Sequence, residues 1–145
     1  MCGAVRYRLA SEPTDAGWCH CRTCQLNSGS PAMAFATVPA EDFVLLSGAE
    51  LVGSVASSET GERRFCKGCG TPLLMQDKGA ATVDFSLATL DEPGRAQPGF
   101  HIYYDSRIGW AEAGDNLPRH PPLAPGIKRR LRRLRLPPAS FPATS

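Results

Sequence analysis

Short segments in which apolar and polar residues alternate run along most of the chain. Residues 5–9 (VRYRL) and 82–87 (TVDFSL) show this pattern, which is typical of strands that bury one face. Further segments that fit short strands cover residues 32–38, 43–46, 51–56, 63–65, 73–76 and 101–104. Glycine, proline, serine or aspartate bounds each segment, so the strands are expected to be short. The pattern predicts a mainly β fold.

Helical periodicity is weak throughout the sequence. The 14 glycines and 13 prolines interrupt the chain, and no long window places apolar residues three and four positions apart. Only residues 23–28 and 128–136 have the composition for helical turns. Helices are therefore expected to contribute little to the core.

The composition is that of one globular domain. The chain has 145 residues, of which 42% are hydrophobic and 21% are charged, and these proportions exclude a wholly disordered chain. No apolar stretch approaches the roughly 20 residues that span a bilayer, so no membrane partner is expected. The first residues, MCGAVRYRLA, lack the apolar region of a secretion signal. We therefore expect the protein to be cytoplasmic.

Positive charge is concentrated near the C-terminal end of the sequence. All 14 acidic residues precede Ile127, where they face 10 Lys and Arg for a net charge of −4, whereas residues 127–145 hold six Lys and Arg and no acid. We predict one domain at residues 1–120, followed at residues 121–145 by a Pro-rich linker and a disordered or short-helical basic tail. The run KRRLRRLRL could contact nucleic acid or an anionic membrane. Because it lacks a reading motif, a solvated extension is the favoured interpretation.

Six cysteines fall into clusters whose spacing points to metal. Cysteines stay reduced in the cytoplasm, so clustering indicates a metal site rather than a disulfide framework. Cys19, Cys21 and Cys24 form a C-x-C-x-x-C motif. Residues two apart in an extended segment share a face, and a turn after Cys21 can return Cys24 toward them. Three thiolates suit Zn²⁺, which prefers tetrahedral sites and would here keep a fourth position for another ligand.

The second cluster is a C-x-x-C-G knuckle at Cys66 and Cys69. Gly68 and Gly70 allow the turn that aims both thiols at one ion. Two ligands do not complete a structural site, so either Cys2 joins this pair or the pair shares a site with the first cluster, and spacing leaves both arrangements open. For both clusters, a closed zinc site that only stabilises a small β domain is the alternative to a reactive one.

The histidines and the neighbouring basic residues carry less information. His20 lies between two predicted ligands and would face away from them in an extended segment, so it is not expected to bind metal. His101 is interpreted as a buried, hydrogen-bonded strand residue, and His120 lies in a proline-rich loop. Four basic residues next to predicted ligands can either offset negative charge or remain solvated: Arg22, Arg63, Arg64 and Lys67.

Five segments, taken in order, carry a resemblance to a known family. They are CGAVRY at the start, CHCRTCQ followed by SGS, AFATVPAEDFVLLSG, RRFCKGCGTPL and HIYYDSRIGW. The chain resembles, over about residues 2–120, the glutathione-dependent formaldehyde-activating enzyme family, also called the CENP-V/Gfa family. The resemblance implies a β-tent, a compact, mainly β architecture of small antiparallel sheets held by zinc. It also implies a structural zinc at Cys2, Cys66 and Cys69 and an active-site zinc at Cys19, Cys21 and Cys24.

The sequence departs from the family pattern near its first residues. The family usually begins with G-x-C-x-C-G, and only the second cysteine of that pair, Cys2, is present. We therefore expect up to two zinc ions, with low occupancy at the site that holds Cys66 and Cys69.

The resemblance also implies an activity. It points to a zinc-dependent carbon–sulfur lyase that joins glutathione, or another small thiol, to a small aldehyde such as formaldehyde, giving an adduct of the S-hydroxymethylglutathione type. The basic residues next to the ligands could then offset the charge of the thiolates or hold the carboxylates of glutathione, and ordinary solvated surface charge is the alternative. The alternative is a non-catalytic zinc-stapled module that binds a nucleic acid or protein partner, because function resides in the site and not in the fold.

Overall fold

The computed structural model describes residues 1–121. Nine short strands and one α-helix make up this part of the chain. The strands are β1 (Arg6–Leu9), β2 (Asp15–Cys19), β3 (Met33–Pro39), β4 (Phe43–Ser47), β5 (Val52–Ala56), β6 (Gly61–Cys66), β7 (Pro72–Asp77), β8 (Thr82–Ser86) and β9 (His101–Ile102). The helix, α1, spans Arg22–Ser28, and 3-10 turns lie at Ala40–Asp42, Ala49–Leu51, Leu87–Thr89, Pro93–Arg95 and Tyr104–Ser106. The prediction of a mainly β fold is confirmed.

Seven of the strands form one sheet in the order β5-β6-β7-β8-β3-β2-β9. Neighbouring strands are antiparallel except β2 and β9, which run parallel. Strands β1 and β4 form a separate two-stranded antiparallel sheet. Tyr7 of β1 stacks on Phe43 of β4 with ring centroids 4.2 Å apart, and both rings contact Phe85 of the large sheet. These aromatic contacts hold the small sheet against the large one.

The main hydrophobic core lies on one face of the large sheet. It consists of Ala16, Ala36, Val38, Leu74, Val83, Phe85 and Leu87. Phe85 and Val38 are fully buried, and burial of each such side chain contributes roughly 1.5–3 kcal/mol. Because successive strand residues point to opposite faces, Thr37 and Asp84 lie on the other side of the sheet. That second face carries the candidate site.

Strand β2 is the strand that alternation did not predict. Its sequence, DAGWC, has no regular exchange of apolar and polar residues. At its centre lies Gly17, and a Cβ atom there would lie 2.6 Å from the ring of Phe100. Glycine therefore allows the aromatic ring to pack directly on the backbone of the strand.

The strand expected at residues 101–104 is shorter than predicted. Strand β9 ends at Ile102 because Tyr103 adopts a φ of 55°, in the left-handed region, and the chain turns into Tyr104–Ser106. The extended pattern of the sequence could not reveal this reversal.

The helix agrees with its prediction to within one residue. It begins at Arg22 rather than at residue 23 and ends at Ser28. Within residues 1–121, no helix combines the length and the apolar character that crossing a membrane requires. The predicted basic tail, with its helical turns at residues 128–136, lies outside the described residues, as does the linker beyond Pro121.

Candidate functional site

The first cysteine cluster lies where β2 ends and α1 begins. Cys19 is the last residue of β2, and Cys21 caps α1 through its Sγ, which accepts a hydrogen bond from the backbone N–H of Cys24 at 3.4 Å. This cap turns the chain so that Cys24, in the first helical turn, returns toward Cys19. The three Sγ atoms lie within 4.8 Å of one another. The structure thus brings together the three cysteines of the C-x-C-x-x-C motif.

Arg63 of β6 gives the first cluster a positively charged neighbour. Its side chain is buried, with 7% of its surface exposed, and its Nη2 lies 3.4 Å from the Sγ of Cys24. Hydrogen bonds from Cys19 and Cys24 hold the pKa of Cys21 well below its usual range, and the charge of Arg63 acts in the same direction. The same thiol contacts, together with burial, raise the pKa of Cys19. The cluster therefore favours a thiolate at Cys21, and thiolates are the form of cysteine that binds metal.

A cavity of about 620 Å³ opens beside the first cluster. Cys19 and Asp15 lie on the same face of β2 because they are four residues apart, and at about 3.3 Å per residue their positions are about 13 Å apart. The cavity thus has a sulfur end, and a carboxylate end where Asp77 and Asp84 join Asp15. Apolar side chains form walls between the two ends: Met33, Phe35, Met75, Phe100 and Ile102.

The second cysteine cluster lies where β6 ends. The backbone N–H groups of Cys69 and Gly70 both donate to the carbonyl oxygen of Cys66, at 3.4 and 2.7 Å, and Gly70 completes the turn with a φ of 76°. Cys2 joins them, with its Sγ 3.7 Å from that of Cys66, and the three Sγ atoms lie within 4.8 Å of one another. The hydroxyl of Thr71 lowers the pKa of Cys69 to about 6. Of the two arrangements that spacing left open, the structure forms the one in which Cys2 accompanies this pair.

Both clusters have the donor chemistry and the spacing of a metal site. Thiolates are soft ligands, and the sulfurs of a tetrahedral zinc site are about 3.8 Å apart when each Zn–S bond is about 2.3 Å. In each cluster the Sγ atoms already lie within 4.8 Å of one another, so small side-chain movements would bring them to that spacing. Each cluster can therefore hold one metal ion.

Two histidines form a buried pair behind the first cluster. His20 Nε2 lies 2.8 Å from His101 Nδ1, and His101 Nε2 lies 3.0 Å from Asp115 Oδ1. Both histidines are 3% exposed. His101 is therefore buried and hydrogen-bonded, as predicted, and His20 directs its ring toward His101. Sequence reasoning missed Asp115, because no local motif connects it to a histidine 14 residues earlier.

The basic residues next to the cysteines have different surroundings. Among the described residues that line the cavity, Arg63 is the one with a positive charge. Arg64 forms an ion pair with Glu62 at 3.0 Å, while Arg22 and Lys67 are exposed. The sequence offered no signal for Arg63 beyond its closeness to Cys66, because it reaches the first cluster only through the pairing of the strands.

The sequence and the fold have counterparts in known proteins. A family model described as glutathione-dependent formaldehyde-activating enzyme matches residues 1–106. An uncharacterised lyase of Schizosaccharomyces pombe is 40% identical over 73 residues, which cover 50% of this chain and 51% of that protein. The match thus spans about half the length of the yeast relative.

Two further proteins extend the comparison. A Halomonas elongata protein, provisionally named as a glutathione-dependent formaldehyde-activating enzyme, is 28% identical over 120 residues, covering 77% of this chain and 76% of that protein. The crystal structure of a Rhodobacter sphaeroides protein superimposes with a TM-score of 0.51 at 24% identity, covering 62% of this chain and 83% of that one, and this likeness concerns the fold. Because the family model covers well over half of the sequence, the chain belongs to the glutathione-dependent formaldehyde-activating enzyme family.

Proposed function

We propose that this protein is a zinc-dependent carbon–sulfur lyase that forms and cleaves a thiol–aldehyde adduct of the S-hydroxymethylglutathione type. The observation that carries this proposal is the convergence of Cys19, Cys21 and Cys24 beside a cavity of about 620 Å³. A metal site that only stabilised the fold would need no such cavity. The family and the names of the relatives from yeast and Halomonas elongata support the same class of reaction.

The proposed reaction needs no oxidant, reductant or further reactant. In the direction of synthesis, the sulfur of the thiol forms a bond to the carbonyl carbon of the aldehyde. The carbonyl π electrons move to the oxygen, which takes up the proton that the thiol has lost. In the reverse direction the hydroxyl proton leaves, the carbonyl re-forms and the carbon–sulfur bond breaks. The thiol is glutathione or another small thiol, and the aldehyde is small.

We assign the active-site metal to Cys19, Cys21 and Cys24. Zinc held by three thiolates would supply a fourth coordination position that lowers the pKa of a bound thiol or polarises a carbonyl oxygen. The guanidinium of Arg63 offsets negative charge on the sulfurs, because its Nη2 lies 3.4 Å from Cys24 Sγ. It is also placed to bind a carboxylate of the thiol substrate.

The cavity walls orient the reactants and limit their contact with water. Phe35 and Phe100 meet edge to face, with ring centroids 6.1 Å apart, and Met33 and Ile102 lie closer to the cysteines. When the cavity holds the two reactants side by side, the entropic cost of their encounter in solution no longer contributes to the barrier of the reaction. Positioning is therefore the main contribution that the chain's own side chains make.

We assign a second, structural zinc to Cys2, Cys66 and Cys69. Cys2 and Cys66 are 64 residues apart in the sequence, so an ion shared between them would close a long loop of chain. Low occupancy of this site remains a prediction. The proposal as a whole implies a reducing compartment such as the cytoplasm, in which the thiols of both clusters stay available.

The proposal is tested by comparing two cysteine variants of the full chain. Cys21→Ser removes a ligand from the first cluster, and Cys69→Ser is the matched control in the second. For each chain, zinc content, thermal unfolding and formation of S-hydroxymethylglutathione from glutathione and formaldehyde are measured. We expect Cys21→Ser to reduce turnover at least 100-fold, whereas Cys69→Ser should change zinc content and thermal stability only slightly, because its site is predicted to hold little zinc. Cys69→Ser is expected to retain turnover per folded molecule.

Other results would contradict the assignment. Full turnover in Cys21→Ser, or equal losses in both variants, would show that the first cluster is not the reactive one. If the unsubstituted, zinc-loaded chain neither binds glutathione nor forms adducts with other small thiols, the lyase proposal is wrong and a non-catalytic binding module replaces it.

A further inference from the structure

The carboxylate end of the cavity carries negatively charged side chains that the strands hold in place. Thr37 pairs in register with Asp15 on β2 and with Asp84 on β8, and its Oγ1 donates a hydrogen bond to Asp84 Oδ1 at 2.7 Å. With Asp77, three carboxylates line this end of the cavity, whereas the guanidinium of Arg63 lies at the sulfur end beside Cys24. The negative charge of these carboxylates makes this end of the cavity favourable for a cationic ligand.

Apolar surface lies directly beside this charge. Met75 pairs in register with Asp84, and Phe100 packs over Gly17, two residues along β2 from Asp15. A ligand complementary to this surface carries several positive charges and several aliphatic side chains within a short length. A simple metal cation or a free ammonium group would leave the apolar walls uncovered.

The chain itself contains a segment with this chemistry. Residues 127–136 read IKRRLRRLRL, with six Lys and Arg and four Ile and Leu. The acidic counterpart is the preceding part of the chain, whose net charge is −4. The basic segment and the carboxylate end therefore match in both charge and apolar character.

The described chain ends next to the cavity. The ring of His120 lies 6.2 Å from that of Phe100, between ring centroids, and Phe100 is a cavity wall. Two backbone hydrogen bonds hold this position: His120 N–H donates to His101 O at 2.9 Å, and Tyr104 N–H donates to His120 O at 3.0 Å. Seven residues of chain can span up to about 25 Å, which exceeds the length of about 13 Å between the two ends of the cavity. Residue 127 is therefore within reach of the cavity.

We propose that the carboxylate end and the apolar walls of the cavity bind residues 127–136 of the same chain. Tethering through a short linker gives the segment an effective concentration on the order of millimolar, so weak contacts suffice for occupancy. If the proposed lyase reaction takes place in this cavity, the segment competes with the substrate, and the contact is autoinhibitory.

The experiment follows the cavity methionines in the zinc-loaded full chain. The sequence holds three methionines, of which Met33 and Met75 line this cavity whereas Met1 does not. Methyl resonances of [¹³C-methyl]methionine are compared between the unsubstituted chain and a variant with all six Lys and Arg of residues 128–135 changed to Gln. We expect the Met75 and Met33 signals to shift and the Met1 signal to stay.

Two further measurements test the electrostatic origin of the contact. Raising NaCl from 0.05 to 0.5 M shortens the screening length severalfold, so the unsubstituted chain should approach the spectrum of the Gln variant, which itself should not respond. Asp77→Asn with Asp84→Asn should reproduce the spectrum of the Gln variant in the full chain. Because the Gln variant alters only residues beyond the described fold, it keeps the test valid even if the aspartate variant is unstable.

Several outcomes would overturn the proposal. Identical Met75 signals in the unsubstituted and Gln chains would show that the segment does not occupy the cavity. Signals that move to the Gln-variant position on dilution would mean that the segment of a second copy binds instead. If the Met75 signal shifts only when a cationic thiol is added, the carboxylate end of the cavity selects substrates and does not bind the segment. None of these readouts depends on turnover, so failure of the lyase proposal and failure of this one are distinguishable.

Discussion

His20 Nε2 and His101 Nδ1 lie 2.8 Å apart in the interior, directly behind the first cysteine cluster. His20 is the residue between Cys19 and Cys21, so this contact ties the loop that carries these cysteines to β9 through a side chain. The His20 carbonyl is held as well, because the side-chain amide of Gln25 donates to it at 2.8 Å. The loop that carries two of the sulfurs is thus fixed on both sides by buried hydrogen bonds.

Removal of His101 is expected to lower stability. His101→Ala would leave a buried nitrogen of His20 without its partner and would also break the contact to Asp115 at 3.0 Å. A buried polar group left unpaired costs about 1–3 kcal/mol, so we expect the free energy of unfolding to fall by about 2–3 kcal/mol. Urea denaturation of the zinc-loaded chain measures the change. His120→Ala, which removes a ring next to Phe100 but no side-chain hydrogen bond to the described residues, should cost less than about 1 kcal/mol. Equal losses of unfolding free energy in the two variants would show that the hydrogen-bonded pair of His20 and His101 does not contribute specifically to stability.

The exposed ion pair between Arg6 and Asp91 should make stability depend on pH. The two side chains meet at 2.6 and 3.0 Å, and the hydrogen bonds from Arg6 hold the pKa of Asp91 below its ordinary value. A carboxylate whose pKa is lower in the folded state stabilises the fold above the unfolded-state pKa, about 3.9. That contribution is lost as the pH falls through the lowered pKa.

Asp91→Asn tests this dependence. The urea midpoint of the unsubstituted chain should exceed that of Asp91→Asn slightly at pH 6, and the difference should shrink as the pH falls below the unfolded-state pKa of about 3.9. Loss of metal in acid affects both chains and therefore cancels. Glu92→Gln is the control, because its contact with Arg95 is long, at 3.9 Å. A difference between Asp91→Asn and the unsubstituted chain that grew in acid would contradict the assignment.

Gly17 is expected to tolerate no side chain. A methyl group at this position would lie 2.6 Å from the ring of Phe100, so Gly17→Ala should push the ring away from β2 and cost about 1–3 kcal/mol. Because Phe100 is a wall of the cavity, the same substitution should weaken substrate binding. Thermal unfolding and the KM of the proposed reaction measure the two effects. Gly94→Ala is the matched control, since nothing lies within 4 Å of its added methyl group. Unchanged stability in Gly17→Ala would contradict the close packing of this ring.

Local patterns in the sequence predicted the parts of the structure that depend on near neighbours. Strands such as β1 and β8 were found because each buries one face, which leaves a period of two in the sequence. The first cysteine cluster could be foreseen because its three sulfurs lie within six residues, so one strand end and one helical turn bring them together. The roles assigned to these cysteines stay proposals.

Features that depend on distant pairing were beyond the reach of local patterns. Strand β2 pairs with β3 and β9 and packs against Phe100 at Gly17, and the contacts with β9 and Phe100 join residues far apart in the sequence. Spacing left the grouping of Cys2 with Cys66 as one of two alternatives, and only the family resemblance chose between them, because a chain separation of 64 residues carries no geometric information. Asp15, Asp77 and Asp84 line one cavity because the order of the strands in the sheet brings them to it, and none of them stands out in the sequence.

Arg63 provides a test of how the first cluster retains metal. Its Nη2 lies 3.4 Å from Cys24 Sγ in a largely buried position, so its charge offsets the excess negative charge of three thiolates around a divalent ion. Arg63→Leu keeps much of the apolar stem but removes this charge. We expect the affinity of the first cluster for zinc to fall about tenfold, which corresponds to about 1.4 kcal/mol, as measured by competition with a chromogenic chelator.

Arg64→Leu is the matched control, because the guanidinium of Arg64 pairs with Glu62 instead. Zinc at Cys2, Cys66 and Cys69 should be retained equally in both variants, so a loss from both clusters would indicate general unfolding. Equal zinc affinity of the first cluster in both variants would show that the neighbouring guanidinium does not support the site.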